Sequence, residues 1–187
     1  MATIIGSLRP KATTGEEKVL RLLIGLPNEY LVWPELPVYT QHPDFVLLHP
    51  KLGLAVLEVK DWVEVVEANP DTFTVRTRAG QQRAESNPVE QARSKALTIA
   101  NKLEGRPRLL HRSGPHQGKL RVPWSYAAIF PNLTRMFIYA LGDIVEPRTV
   151  LCQDDLAPQR FEERLRGLDW RFAAQLSEDD IRDIRAT

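Results

Sequence analysis

Between Pro43 and Lys60 the chain reads PDFVLLHPKLGLAVLEVK. Three of its polar residues, Asp44, Glu58 and Lys60, have types and spacing suited to chemistry. Two apolar, β-branched runs, Asp44 to Leu48 and Leu54 to Lys60, flank His49-Pro50-Lys51-Leu52-Gly53, which predicts a β-hairpin with a Gly-containing loop. With the loop centred on Lys51, Leu48 faces Leu54, Val46 faces Val56 and Asp44 faces Glu58. The two-residue period of a strand then puts Lys60 on the face of Glu58. Facing carboxylates repel, and burial beside Phe45, Leu57 and Val59 makes their ionisation harder. A hard divalent cation such as Mg2+ takes carboxylate oxygens, waters and substrate phosphate, and would relieve the repulsion. The alternative is a plain salt bridge from Lys60 to one acid at a strand end.

Helices and outer strands must hold this trio in place. A first helix is predicted from near Thr14, an N-cap candidate with Glu17 three residues on in the capping-box pattern. Val19, Leu20, Leu22, Leu23 and Leu26 recur at helical spacing as far as Pro27. Glu16 precedes Val19, Leu20 and Leu23 by three, four and seven residues, so it lies at the upstream end of the buried stripe while Glu17 serves the cap. Glu16 is therefore the catalytic candidate; its plain reading is a first-turn acid that favours the helix dipole. Tyr30 to Tyr39, interrupted by Pro34 and Pro37, predicts an edge strand. Trp62 to Glu67 and Thr72 to Arg78 predict two further strands, the second ending at Ala79-Gly80. Asn87-Pro88 opens a second helix with Glu90 three after the cap and a buried stripe of Ala92, Ala96, Ile99, Ala100 and Leu103, stopped at Gly105. Gln91 and Lys95 share its flank. Val122 to Phe130 and Thr149 to Cys152 are strand candidates, Met136 to Leu141 is a short strand or helix, and Pro158 to Leu168 and Ser177 to Ile184 have helical patterns. The whole predicts an α/β fold with a central mixed β-sheet flanked by helices. Residues 1–11 read as an N-terminal arm, 12–153 as the main domain, including a basic loop at 105–121, and 154–187 as a C-terminal helical extension.

The order Gly15-Glu16, Pro43-Asp44, Glu58-Val59-Lys60 and then Gln91 resembles the NERD, or nuclease-related, domain within the PD-(D/E)xK nuclease superfamily, over roughly residues 12–135. The resemblance implies a restriction-endonuclease-like core and metal-dependent hydrolysis of phosphodiester bonds, expected in DNA, in DNA processing or repair. It also implies that Asp44 and Glu58 hold Mg2+, for which Mn2+ could substitute, with Glu16 as a direct or water-mediated ligand. Lys60 would orient or deprotonate the attacking water. In related nucleases a Gln on the second helix, followed four residues later by Tyr, helps hold substrate or water. Gln91 fits that place, whereas Lys95 replaces the Tyr and could reach a phosphate; the plain reading of the pair is a solvated helix flank. Such domains often precede superfamily 1 helicase modules, so a helicase or ATPase partner is expected. A nuclease-like module that binds nucleic acid without cutting it is the rival function.

Composition sets the outer bounds. At 187 residues, 43% hydrophobic and 26% charged, the chain can bury a core and is not disordered as a whole. Its single cysteine, Cys152, excludes an internal disulfide and a Cys-based zinc site and fits a reducing compartment. With no signal-like or membrane-length apolar run, a cytoplasmic location with no membrane association is expected. The net charge of +1 hides a polarity along the chain: from Arg76 to Arg121 eleven Lys and Arg face three acids, while from Asp143 on eleven acids face seven Arg. Lys95, Arg106, Arg108 and Arg112 are the candidate phosphate contacts, a solvated cationic face being the alternative. His111 and His116 lack companions at ligand spacing and read as loop residues. No Gly-x-x-x-x-Gly-Lys-Ser/Thr motif occurs, so no P-loop motor lies within these residues.

Overall fold

A computed structural model describes residues 1–77 and 80–187. In chain order the elements are β1 (Thr3–Ile4), α1 (Thr14–Ile24), β2 (Leu31–Pro34), β3 (Phe45–His49), β4 (Gly53–Val59), β5 (Glu64–Ala68), β6 (Thr72–Arg76), β7 (Gln82–Ser86), α2 (Pro88–Glu104), β8 (Trp124–Phe130), α3 (Arg135–Ala140), β9 (Val150–Cys152), α4 (Pro158–Arg166) and α5 (Glu178–Arg185). Six strands form one mixed sheet in the order β1-β2-β3-β4-β8-β9, and β5-β6-β7 form a separate antiparallel sheet. This is the expected α/β architecture, a central mixed sheet flanked by helices, and it is consistent with a restriction-endonuclease-like core.

Every residue of β3 and β4 is buried, because their alternating side chains feed two cores. Phe45, Leu47, Ala55 and Leu57 pack with Val19 and Leu23 of α1 and with Phe161 and Leu165 of α4. Val46, Leu48, Leu54 and Val56 pack with Ala96, Ile99 and Leu103 of α2 and with Ile184 of α5. Burying each such side chain stabilises the fold by roughly 1.5–3 kcal/mol. The hairpin turn closes on Gly53, whose φ is +106° and whose missing Cβ would lie 2.1 Å from the carbonyl oxygen of Pro123. Only glycine fits there, so the turn and the start of β8 are locked together.

Several expectations are corrected. The first helix is capped one residue earlier than expected: Thr13, with extended backbone, is the N-cap, and Glu16 rather than Glu17 completes its capping box. The predicted edge strand lies one place in from the edge. Residues of the N-terminal arm form β1, which pairs in parallel with Leu31 and Val32 only. Pro34 lies beyond that pairing, where a missing N–H leaves no ladder bond unmade. The strand β7 was not foreseen, since Gln82–Ser86 is polar and mostly exposed. The expected end of the preceding strand at Arg78 and its turn at Ala79 lie outside the described residues. Met136 to Leu141 resolves as helix α3. The C-terminal segment 154–187 is integral to both cores, through Phe161, Leu165 and Leu168 on one side and Ala174, Leu176 and Ile184 on the other. Among the described residues no helix is long and apolar enough to cross a membrane.

Candidate active site

The hairpin register is the one the apolar pattern requires: Leu48 pairs with Leu54, Val46 with Val56 and Phe45 with Leu57. One step further along that register, Asp44 lies opposite Glu58. Both are buried, at 8% and 4% exposure. The Val59 N–H donates to Asp44 Oδ2 at 2.6 Å, and the Glu35 N–H donates to the Asp44 carbonyl at 2.9 Å, so Asp44 is held from both neighbouring strands. Glu58 continues the Leu54 and Val56 side of β4 and so faces α2. There Lys95 Nζ donates to Glu58 Oε2 at 2.5 Å and to the His42 carbonyl at 3.0 Å. Lys60 Nζ donates to Glu58 Oε1 at 3.1 Å.

Glu58 thus lies between two ammonium groups, and among the described residues neither lysine pairs with Asp44. The electrostatic consequence falls on Asp44. Burial, then repulsion from Glu58, raises its carboxyl from 3.8 to about 7, against the opposing pull of the Val59 N–H and of Lys95. Glu16 adds to the upward push.

Glu16 reaches this end of the sheet from the first turn of α1. Its Oε2 accepts the Thr13 N–H at 2.5 Å, while its own N–H donates to Thr13 Oγ1 at 3.2 Å. Glu17, expected at the cap, instead faces Arg21 at 3.6 Å. The helix can come this close because its second residue is Gly15, where a Cβ would sit 3.0 Å from Asp61 Oδ1 and 3.1 Å from Pro131 Cγ. Glu16 therefore has a structural duty that sequence spacing assigned to its neighbour. Glu16→Gln separates the two duties, because Gln also completes a capping box. The melting temperature is expected to stay within about 2 °C of wild type, a shift of under ~1 kcal/mol at this size, while metal-dependent cleavage falls. Unchanged cleavage would confine Glu16 to the cap.

Glu16, Asp44 and Lys60 line one cleft of about 460 Å³, together with Thr13, Asp61 and the β7 residues Arg83 and Glu85. Arg83 Nε donates to Glu85 Oε1 at 2.6 Å across that wall. Asp61, held by Asn132 Nδ2 at 2.8 Å, is a cleft acid that sequence reasoning missed, although it directly follows Lys60. Gln91 is not in this cleft. It lines an adjoining groove with Lys95, Asp71 and Ser86, and its Nε2 donates to the Ser86 carbonyl at 3.1 Å, tying β7 to α2. Among the described residues no three His, Cys, Asp or Glu side chains are grouped so as to hold a metal ion.

The expected phosphate contacts of the basic loop lie at the other end of α2. Arg108 pairs with Asp179 at 2.7 Å and Asp183 at 3.4 Å. Arg106 donates to Thr187 Oγ1 at 3.0 Å and the Ala186 carbonyl at 3.1 Å, and Arg121 pairs with Asp180. The acidic tail thus neutralises part of the basic segment, and of the three candidate arginines Arg112 alone makes no ion pair or side-chain hydrogen bond among the described residues. From Lys95 to Arg106 is eleven residues, or ~16 Å along a helix.

Comparison with curated proteins and with solved structures gives no match. The family model for the nuclease-related domain, NERD, matches residues 11–131, which spans α1, the hairpin, α2 and β8. That match covers well over half of the chain and includes Glu16, Asp44, Glu58, Lys60 and Gln91, and the chain belongs to the NERD family.

Proposed function

We propose that the chain is a Mg2+-dependent phosphodiesterase of the PD-(D/E)xK type that hydrolyses nucleic acid, DNA foremost, in DNA processing or repair. The observation that carries this reading is the buried Asp44 opposite Glu58, with Asp44 raised to about 7 by burial and by its partner. Asp44, which has no ammonium partner among the described residues, and Glu58, whose two are Lys60 and Lys95, are hard oxygen donors of the kind that suits a divalent cation. Asp44 and Glu58 would hold it, with Glu16 as a third, direct or water-mediated ligand. Bound there, Mg2+ or Mn2+ supplies Lewis acidity toward a phosphodiester oxygen and makes water a better nucleophile. Lys60, whose ammonium donates to Glu58, would orient the attacking water and offset developing negative charge. Lys95, once off Glu58, has a phosphate within its class of partners, and Gln91 would steady substrate from the adjoining groove. A reducing, cytoplasmic setting belongs to the same reading, supported by the single buried cysteine, Cys152. So does a helicase or ATPase partner, in keeping with the usual company of such domains.

A specific observation favours one rival. Both Glu58 oxygens carry ammonium contacts, an arrangement that a non-cutting, nuclease-like binding module could keep permanently. Incubation with labelled single- and double-stranded DNA and RNA, with Mg2+, with Mn2+ and with chelator, separates the two. Cleavage of DNA with either metal and none with chelator is the expected outcome. Strand binding without cleavage in every metal condition would leave the binding module.

A further inference from the structure

At the end of the central sheet remote from Glu58, a cleft of about 670 Å³ opens beside the first residue of β8. Trp124, Arg171, Phe172, His111, His116 and Lys119 line it. Its rings lie close enough to form a stacking surface. His111 is 5.9 Å from His116 and 6.4 Å from Phe172, and the Arg171 guanidinium lies 4.8 Å over the Trp124 ring. Phe172 is 41% exposed, so much of its ring remains open to solvent. The backbone beneath is anchored. Ala174 and Leu176 donate to the carbonyls of Lys51 and Pro50 at 3.2 and 3.0 Å, and the His111 N–H donates to the Lys119 carbonyl at 2.9 Å.

We propose that this cleft binds an unpaired base of single-stranded nucleic acid, stacked against Trp124 and Phe172, with Arg171 and Lys119 meeting its phosphates. Aromatic faces combined with cations are the general means of holding a single strand, because every base has a π-face and every link a charge. The cleft volume is within the range of sites that enclose a small planar ligand. Glu104 also lines the cleft, and the two cations outweigh it. Trp124 precedes by four residues Ala128, the register partner of Glu58. The cleft therefore lies ~13 Å from the level of the acids at ~3.3 Å per residue, about four stacked nucleotides at ~3.4 Å each. This inference rests on the nuclease reading and adds a preference for strands with unpaired bases.

The test uses the full chain in chelator, with fluorescence anisotropy of a labelled oligothymidine, an abasic strand of equal length and a blunt duplex. Wild type is expected to prefer oligothymidine to the abasic strand. Phe172→Ala and Trp124→Leu should each weaken oligothymidine binding by roughly 5- to 100-fold and abolish that preference, leaving duplex binding unchanged. Phe172, being exposed, can be truncated without loss of fold, which the melting temperature checks. Equal affinity of wild type for thymidine and abasic strands, or wild-type affinity in Phe172→Ala, overturns the proposal. Base-dependent binding without any cleavage in Mg2+ supports the cleft and sinks only the nuclease reading. Cleavage without base-dependent binding sinks only the cleft.

Discussion

Asp44→Asn is expected to lower cleavage by about 10²-fold or more and, in the metal-free protein, to raise the melting temperature. The second effect is the diagnostic one. Asp44 is lifted from 3.8 to about 7 by burial and by Glu58, so between those values the folded chain holds a proton that the unfolded chain has lost. The stability contributed by that proton is fully present below about pH 4 and is lost as pH rises through about 7. Asn removes the charge, keeps an oxygen for the Val59 N–H, and escapes this loss. Each ~1 kcal/mol recovered raises the melting temperature by about 2–4 °C at this size. In chelator, wild type should therefore lose stability relative to Asp44→Asn from about pH 4 up to about pH 7, with little further change above that. Metal reverses the trend, because a cation requires the ionised carboxylate: the metal-induced rise in melting temperature should grow up to about pH 7 and then level off. A buried ion pair predicts the opposite, since removing one partner costs about 3–5 kcal/mol. An Asp44→Asn protein melting well below wild type in chelator, with neither responding to metal, would end the metal-site reading.

The parts of the site legible in the sequence are those set by short-range periodicity. The Asp44–Glu58 juxtaposition needed only two apolar runs of matching phase about Lys51, because a one-residue slip would turn every buried side chain to the other core. The caps at Asn87 and Ser177 were legible for a similar reason, each being a side chain bonded within three residues. Thr13 and Thr14 are the same residue type, so local pattern could not choose between their capping boxes. The choice fell to Gly15, whose missing Cβ lets α1 close on Asp61 and Pro131. Partners far apart in sequence were illegible. Arg108 finds Asp179 across 71 residues, and β7 exists because β6 offers it an edge, not because Gln82–Ser86 has strand character. Lys95 combines both cases. Its place on a helix flank was readable, whereas its contact with Glu58 depends on how the crossover from the small sheet sets α2 against the end of β4.

Lys95→Gln is expected to lower the melting temperature of the metal-free protein by about 4–8 °C and to increase its stabilisation by metal. Lys95 and Glu58 are 17% and 5% exposed at the side chain and 2.5 Å apart, so this is a charge-assisted hydrogen bond largely shielded from water. Such a bond contributes about 2 kcal/mol, which at this size converts to the stated shift. Lys60 remains on Glu58, so the carboxylate is not stranded and the loss stays below that of a fully broken buried pair. In wild type, a cation held by Glu58 must displace one ammonium, and Lys95, donating to the oxygen not used by Lys60, opposes it. Without Lys95 that opposition disappears, and the affinity for Mg2+ or Mn2+ should tighten by roughly 10- to 30-fold for ~2 kcal/mol. The measurement is the rise in melting temperature with metal concentration, which follows RT ln(1 + [L]/Kd), in wild type and Lys95→Gln. If the released lysine then serves a phosphate, the variant should also show a higher KM for nucleic acid despite its tighter metal. Identical metal responses in the two proteins would mean that Lys95 and the cation do not compete, and that the Lys95–Glu58 pair is part of the fold rather than a gate on the site.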